Sequence, residues 1–271
     1  MEKRIERKKE EFTILGISIW RLFAYFIIYS VVGFVIETLF GLLTKGLLES
    51  RKSFLYGPFC SIYGVGAVSM ILFLQYFKKN NFTLFGGGFL IGSIIEYLIS
   101  FIGQAIFRIR WWDYSEKAFN LNGRICVYFS LFWGVLAIFL ITYFNPKVDK
   151  FIDKMKNRFK IKNLKKVVAI GIILLFLDFL ITCFALDIFF ARLVNENNLE
   201  IANKEVYIEK YNKLNEKTVL KSITDKIFSN EKVLKSFPNL KTIGKNGEII
   251  YIDSILPEIT PYYVKVFTPK K

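Results

Sequence analysis

The chain has 271 residues, 53% of them hydrophobic and 17% aromatic, with a formal net charge of +15. It contains no histidine, which excludes His-based triads and removes the commonest general base and the commonest metal ligand. The basic residues flank long apolar runs, so the charge reads as membrane topology and not as a nucleic-acid surface.

Residues 1–19 form a basic lead, expected to be helical and cytoplasmic. Five apolar runs follow, each near the roughly 20 residues needed to cross the hydrocarbon core: Leu22–Leu43, Phe59–Phe77, Phe82–Phe107, Ile125–Phe144 and Val167–Phe190. They are too uniformly apolar for barrel strands, so an all-α integral membrane class with five transmembrane helices is predicted. The first run has span length and contains Glu37, and no small-residue cleavage pattern follows it, so it reads as a span and not as a signal peptide.

Residues 1–21, 78–81 and 145–166 hold six, two and nine Lys/Arg, seventeen together, against seven in the other two loops (44–58 and 108–124). The positive-inside rule then places the N-terminus in the cytoplasm and the tail outside. Residues 146–166 form a basic cytoplasmic loop after Asn145-Pro146. Within it Val148, Phe151, Ile152, Met155 and Phe159 recur at helical spacing, which reads as an interfacial amphipathic helix or an ordinary positive-inside loop. Span five covers 167–190. The tail, 191–271, is expected to be a small α+β element, helical over 196–237, with short strands around Ile249–Ile252 and Tyr262–Val266.

The membrane core, 20–145, repeats internally. Gly33-x-x-x-Glu37 recurs as Gly92-x-x-x-Glu96. Each is followed by a loop arginine (Arg51, Arg124) and a Gly-x-x-Cys (Gly57 to Cys60, Gly123 to Cys126) that opens the next span. Residues 20–80 and 82–145 thus read as two parallel copies of one two-span unit.

A mid-membrane carboxylate costs about 2.5–3.5 kcal/mol on insertion scales, so Glu37 and Glu96 should face the bundle interior. The simplest geometry pairs them with Arg51 and Arg124. That arrangement is either a structural ion-pair clamp or a polar chamber open to the outer face, with Tyr56, Asp113 and Asn122 as further polar groups. Cys60 and Cys126 read as small packing residues, with a disulfide conceivable. Asp113 has Arg108, Arg110 and Arg124 as candidate partners, and Asp187 has Arg192. Trp111, Trp112 and Tyr114 fit an interfacial aromatic belt. Pro58 is placed in the first turn of the second span, and Gly33, Gly41, Gly92 and Gly103 are assigned to helix packing. The three cysteines have no zinc spacing, and Gly41 and Gly46 lack the lysine of a phosphate loop, so no metal and no cofactor is expected.

At "RKSFLYGPFCSIYGVG" and "WDYSEKAFNLNGRICVYFSLFWG", with Glu37 and Glu96, residues 20–145 resemble the ABC-transporter permease family of the CmpB type. Ser61 departs from the proline expected there. The resemblance implies a bacterial multi-pass membrane permease. Without a phosphate loop, ATP-driven transport needs a separate ATPase subunit, with the basic 145–166 loop as its docking surface. Two other readings stay open. One is a membrane-embedded enzyme acting on lipid or cell-envelope substrates. The other is an accessory subunit whose ion pairs only hold it together. Five spans are few for a solitary transporter, which points to a homo-oligomer or to the enzyme; membrane lipids are partners in every case.

Overall fold

The computed structural model describes residues 11–201, 203–259 and 263–268. Most of the basic lead therefore lies outside the described residues. Its last part is not helical as expected: β1 (Thr13–Ile14) and β2 (Ile17–Ser18) form a hairpin whose turn residues, Leu15 and Gly16, take positive φ. The first helix, α1, spans Ile19–Lys45 and stops on Gly46, which is left-handed and donates its N–H to the Leu42 carbonyl. β3 (Leu47–Glu49) follows. α2 (Ser61–Leu74) continues into a tighter turn, Gln75–Phe77.

α2 begins later than expected, leaving Phe59 and Pro58 in the preceding loop. The Cys60 N–H donates to the Ser30 carbonyl of α1 at 2.8 Å, and Ser53 N–H donates to the Phe59 carbonyl at 2.7 Å. α3 (Asn81–Phe107) is capped by the Asn80 side chain, which accepts from the Thr83 N–H. β4 (Ile109–Arg110), β5 (Asn120–Leu121) and β6 (Ile125–Cys126) then lead into α4 (Val127–Phe139).

α4 does not end at Asn145-Pro146. It passes through one wide π turn, Leu140–Phe144, into α5 (Asn145–Arg158). A proline ring clashes with the carbonyl four residues earlier, and a widened turn just ahead of it relieves that clash. The amphipathic helix expected here is therefore an extension of α4. Its acidic residues bond α1 and its lysines face outward. Asp149 accepts from Tyr25 Oη, and Arg21 bonds Asp153 at 3.1 Å, while Lys147, Lys150 and Lys154 are exposed.

α6 (Ile161–Glu196) has 36 residues. At 1.5 Å each it is about 54 Å long, well beyond a hydrocarbon core of about 30 Å. The surplus at its C-terminal end carries the tail: α7 (Lys204–Glu216), α8 (Thr218–Ile227), α9 (Asn230–Ser236), β7 (Lys241–Ile243), β8 (Ile249–Tyr251), α10 (Ile252–Ile255) and β9 (Tyr263–Lys265). Expected strands at 249–252 and 262–266 are largely present, although Tyr262 lies outside the described residues. β7 was not foreseen, and the helical stretch 196–237 is broken into the end of α6 and three separate helices.

Two cores result. One is made by α1, α2, the α4–α5 helix and the starts of α3 and α6, around Tyr25, Met70, Ile71, Leu84 and Trp133. The other joins the end of α6 (Phe189, Phe190, Leu193) to tail residues Val233, Leu234 and Ile252 and to two loop residues, Leu55 and Ile109. The tail also adds a strand to each loop at this end of the bundle: β9 pairs with β3, and β7 with β4, all antiparallel.

Small residues set the spacing of the helix pairs. A Cβ on Gly33 would strike the Tyr63 ring, and one on Gly92 would strike Trp133, so close approach requires glycine at both places. Gly41 and Gly103, assigned to helix packing from the sequence, lie instead under loop side chains, Arg51 and Trp111.

Among the described residues, four helices are long and apolar enough to cross a membrane: Ile19–Lys45, Asn81–Ile106, the continuous Val127–Arg158, and Ile161–Glu196; Ser61–Phe77 is apolar but shorter. The chain is a multi-pass, all-α membrane protein.

Candidate functional site

Helices α1 and α2 form one hairpin and α3 and α4 another. A cavity of about 800 Å³ lies between the two and is also lined by α6 and the tail. Glu37 and Glu96 both line it. Glu37 Oε1 accepts from the Tyr63 hydroxyl at 2.8 Å. Glu96 Oε1 accepts from the Tyr114 hydroxyl at 2.9 Å, and its Oε2 from the Trp133 indole N–H at 3.2 Å. The Tyr63 and Trp133 rings meet with centroids 5.3 Å apart. The two carboxylates are thus joined through their donors: Glu37, Tyr63, Trp133, Glu96. Burial, with the Glu96 carboxylate beside it, pushes the Tyr114 phenol well up, so this donor keeps its proton. Glu96 itself is only 4% exposed.

The expected pairing of these carboxylates with Arg51 and Arg124 does not form. Arg51 lines the cavity but bonds Glu49 at 2.5 Å, and Lys45 bonds the same carboxylate at 3.2 Å. Glu49 is two residues away and 8% exposed, so it captures the guanidinium before Glu37 can. Arg124 is buried one turn beyond Glu96 on the α3 side. Its guanidinium lies over the Tyr97 and Phe101 rings at 5.5 and 5.6 Å, and it donates weakly to Ser100 Oγ at 3.4 Å. Among the described residues, neither Glu37 nor Glu96 makes an ion pair.

Of the remaining expected site residues, Cys60 lines the cavity, whereas Tyr56, Asp113, Asn122 and Cys126 sit outside its wall. The Tyr56 ring is exposed, and its backbone N–H donates to Asp178 Oδ1 at 3.2 Å. Asp113 pairs with Arg110 at 3.1 Å and accepts from Ser115 Oγ. Asn122 donates to the Tyr97 hydroxyl at 3.0 Å. Cys60 and Cys126 are free, buried thiols. Each is the residue before its helix, α2 or α4, so the two occupy matching places in different hairpins and are not bonded. Asp187 pairs with Lys210 at 2.6 Å, while Arg192 turns to Asp225 at 3.8 Å.

Asp178 of α6 holds the loop after β3. Loop 50–60 is irregular backbone against α6, and apolar surroundings require every such amide to find a partner. Asp178 accepts from Tyr56 N–H, and Thr182 Oγ1 accepts from Leu55 N–H at 2.8 Å. Lys52 of the same loop donates to the Leu55 carbonyl at 2.7 Å; burial pushes its ammonium down, with Asp178 opposing.

Nothing in the sequence marks Tyr63 and Trp133, because aromatic residues in an apolar run carry no periodic signal. Tyr63 lies three residues after Cys60 and stacks over Gly33, four before Glu37; Trp133 stacks over Gly92, four before Glu96. The paired Gly-x-x-x-Glu spacing was the signal that could have located them. The tail's Ser236 to Leu240 also line the cavity, at the end of the bundle where α1 and α3 finish.

A family model described as "Putative ABC-transporter type IV" matches residues 24–183, more than half of the chain. The chain belongs to this family. The match takes in both hairpins, both carboxylates and the first part of α6, and stops before the tail and the α6 residues that hold it. Family and helices together make the chain a multi-pass component of the transporter class. No curated protein and no solved structure matches it.

Proposed function

We propose that the chain is the membrane permease component of a transporter, and that the cavity between the hairpins is its substrate chamber. The observation that carries this reading is the single cavity whose wall contains both intramembrane carboxylates, neither neutralised by a cation. Carboxyl groups buried this way are costly to keep and mark functional sites.

The five apolar segments are taken as spans, α2 with its tight final turn being the shortest. Residues 20–80 and 82–145 are two copies of one unit, with an axis along the membrane normal. Matching features support the duplication: Gly33 under Tyr63 and Gly92 under Trp133, Gly57 and Gly123 both at positive φ, a cysteine ahead of α2 and of α4, and a tail strand on each loop. Residues 1–19 and 146–166 lie in the cytoplasm, 167–190 cross the membrane, and 191–271 cover the chamber on the cell's outer side. Several residues in the chamber wall, Leu39, Leu43, Ile102 and Tyr128, are also exposed on the apolar outside of the bundle. Cargo therefore enters sideways from the bilayer.

A separate ATPase docks on the lysine face of α5. Gentle purification of the chain from its native membrane is expected to bring down a subunit that hydrolyses ATP. Reversing Lys147, Lys150 and Lys154 to glutamate should release it. A lipid or envelope species altered on deletion of the chain, with no ATPase attached to it, would favour the enzyme and sink the permease.

A further inference from the structure

We propose that the chamber selects an amphiphilic cation: a compact ammonium or phosphonium-like charge with a large apolar body. The inference rests on the reading of the cavity as a substrate chamber. Its basis is the charge balance of the wall. Among the described residues the lining cations are Arg51 and Lys52. Arg51 is paired with Glu49, a carboxylate it shares with Lys45. Lys52 donates to a backbone carbonyl beside Asp178, which holds the same loop. Glu37 and Glu96 have only neutral donors, a phenol, a second phenol and an indole. Among the described residues of the wall, the two carboxylates are the charged groups with no opposite charge paired to them.

The second basis is the surface around those carboxylates. Tyr63, Trp133, Tyr114 and Phe129 present aromatic rings to the same space, with Tyr114 stacked on Phe129 at 4.6 Å. Ring faces attract a desolvated cation and offer nothing to an anion, and aromatic cages are the general solution for ammonium groups that cannot donate hydrogen bonds. An acidic pair alone binds many cations, and an apolar cavity alone binds neutral lipids. Their coincidence in one volume of about 800 Å³ selects a cation that also carries bulk.

Two ions of matched shape and opposite charge test the selection. The full-length protein, in nanodiscs of zwitterionic lipid, is titrated with tetraphenylphosphonium and with tetraphenylborate, empty nanodiscs supplying the partition background. Saturable phosphonium binding is expected, with no saturable borate binding. Glu37→Gln and Glu96→Gln should each weaken the phosphonium at least tenfold. Glu37→Asp, which keeps the charge, should retain binding and separate charge loss from misfolding. Equal binding of the borate, no saturable binding of either ion, or glutamine variants that hold the phosphonium within twofold would overturn the inference. The titration needs neither ATP nor a partner. A chain that binds the cation but moves nothing loses the permease reading alone, and one that transports only neutral or anionic cargo loses the cation alone.

Discussion

Phe189→Ala is expected to destabilise the tail by about 3–5 kcal/mol, the usual cost of emptying a fully buried aromatic site. Phe189 is 0% exposed, at the C-terminal end of the apolar run of α6. It belongs to a cluster completed by Val233, Leu234 and Ile252 of the tail and by Leu55 and Ile109 of the two loops. The tail has few apolar residues per segment and becomes a folded element only against α6, so the change should open it as one unit. Pulse proteolysis of the purified protein would follow this as faster cleavage after residue 196, with the four long helices still protected. Tail protection equal to wild type would mean that the tail folds on its own, against the shared core.

A cross-link between β3 and β9 should have the largest effect on function. Leu48 and Val264 are register partners in that pair, and both are exposed. With Cys60, Cys126 and Cys183 changed to alanine, Leu48→Cys together with Val264→Cys supplies a disulfide that ties the tail to the loop after α1. Ser236 to Leu240 line the chamber, so release to the outer side requires this cover to lift. Oxidation should lower transport at least tenfold while leaving chamber binding intact, and reduction should restore it. Undiminished transport by the oxidised protein would place the exit on the lateral, lipid-facing side.

The apolar helices were legible because their signal is local: uninterrupted apolar runs give α1, α3, α4 and α6 directly. The position of Glu37 and Glu96 was legible for the same reason, since a carboxylate inside such a run must turn inward. The partners were not. Arg51 was expected to reach Glu37, but Glu49 is nearer along the chain and the loop lays Arg51 along the last turn of α1. Arg124 settles on aromatic faces that its own sequence neighbourhood does not contain. The true donors, Tyr63, Trp133 and Tyr114, come from other elements, and a hydroxyl or indole inside an aromatic-rich chain does not stand out. The tail's role was hidden because the apolar run of α6 fades at Phe190 while the helix continues to Glu196. The boundary of hydrophobicity is not the boundary of the element.

The central claim is that the two carboxylates share one working chamber. It is tested most directly by comparing the lipid and cell-envelope composition of a deletion strain with strains carrying Glu37→Gln or Glu96→Gln at wild-type protein level. Either substitution alone is expected to reproduce the deletion profile, because each removes one of two charges needed in the same volume. A wild-type profile in both substituted strains would contradict the account, leaving the buried acids as structural residues.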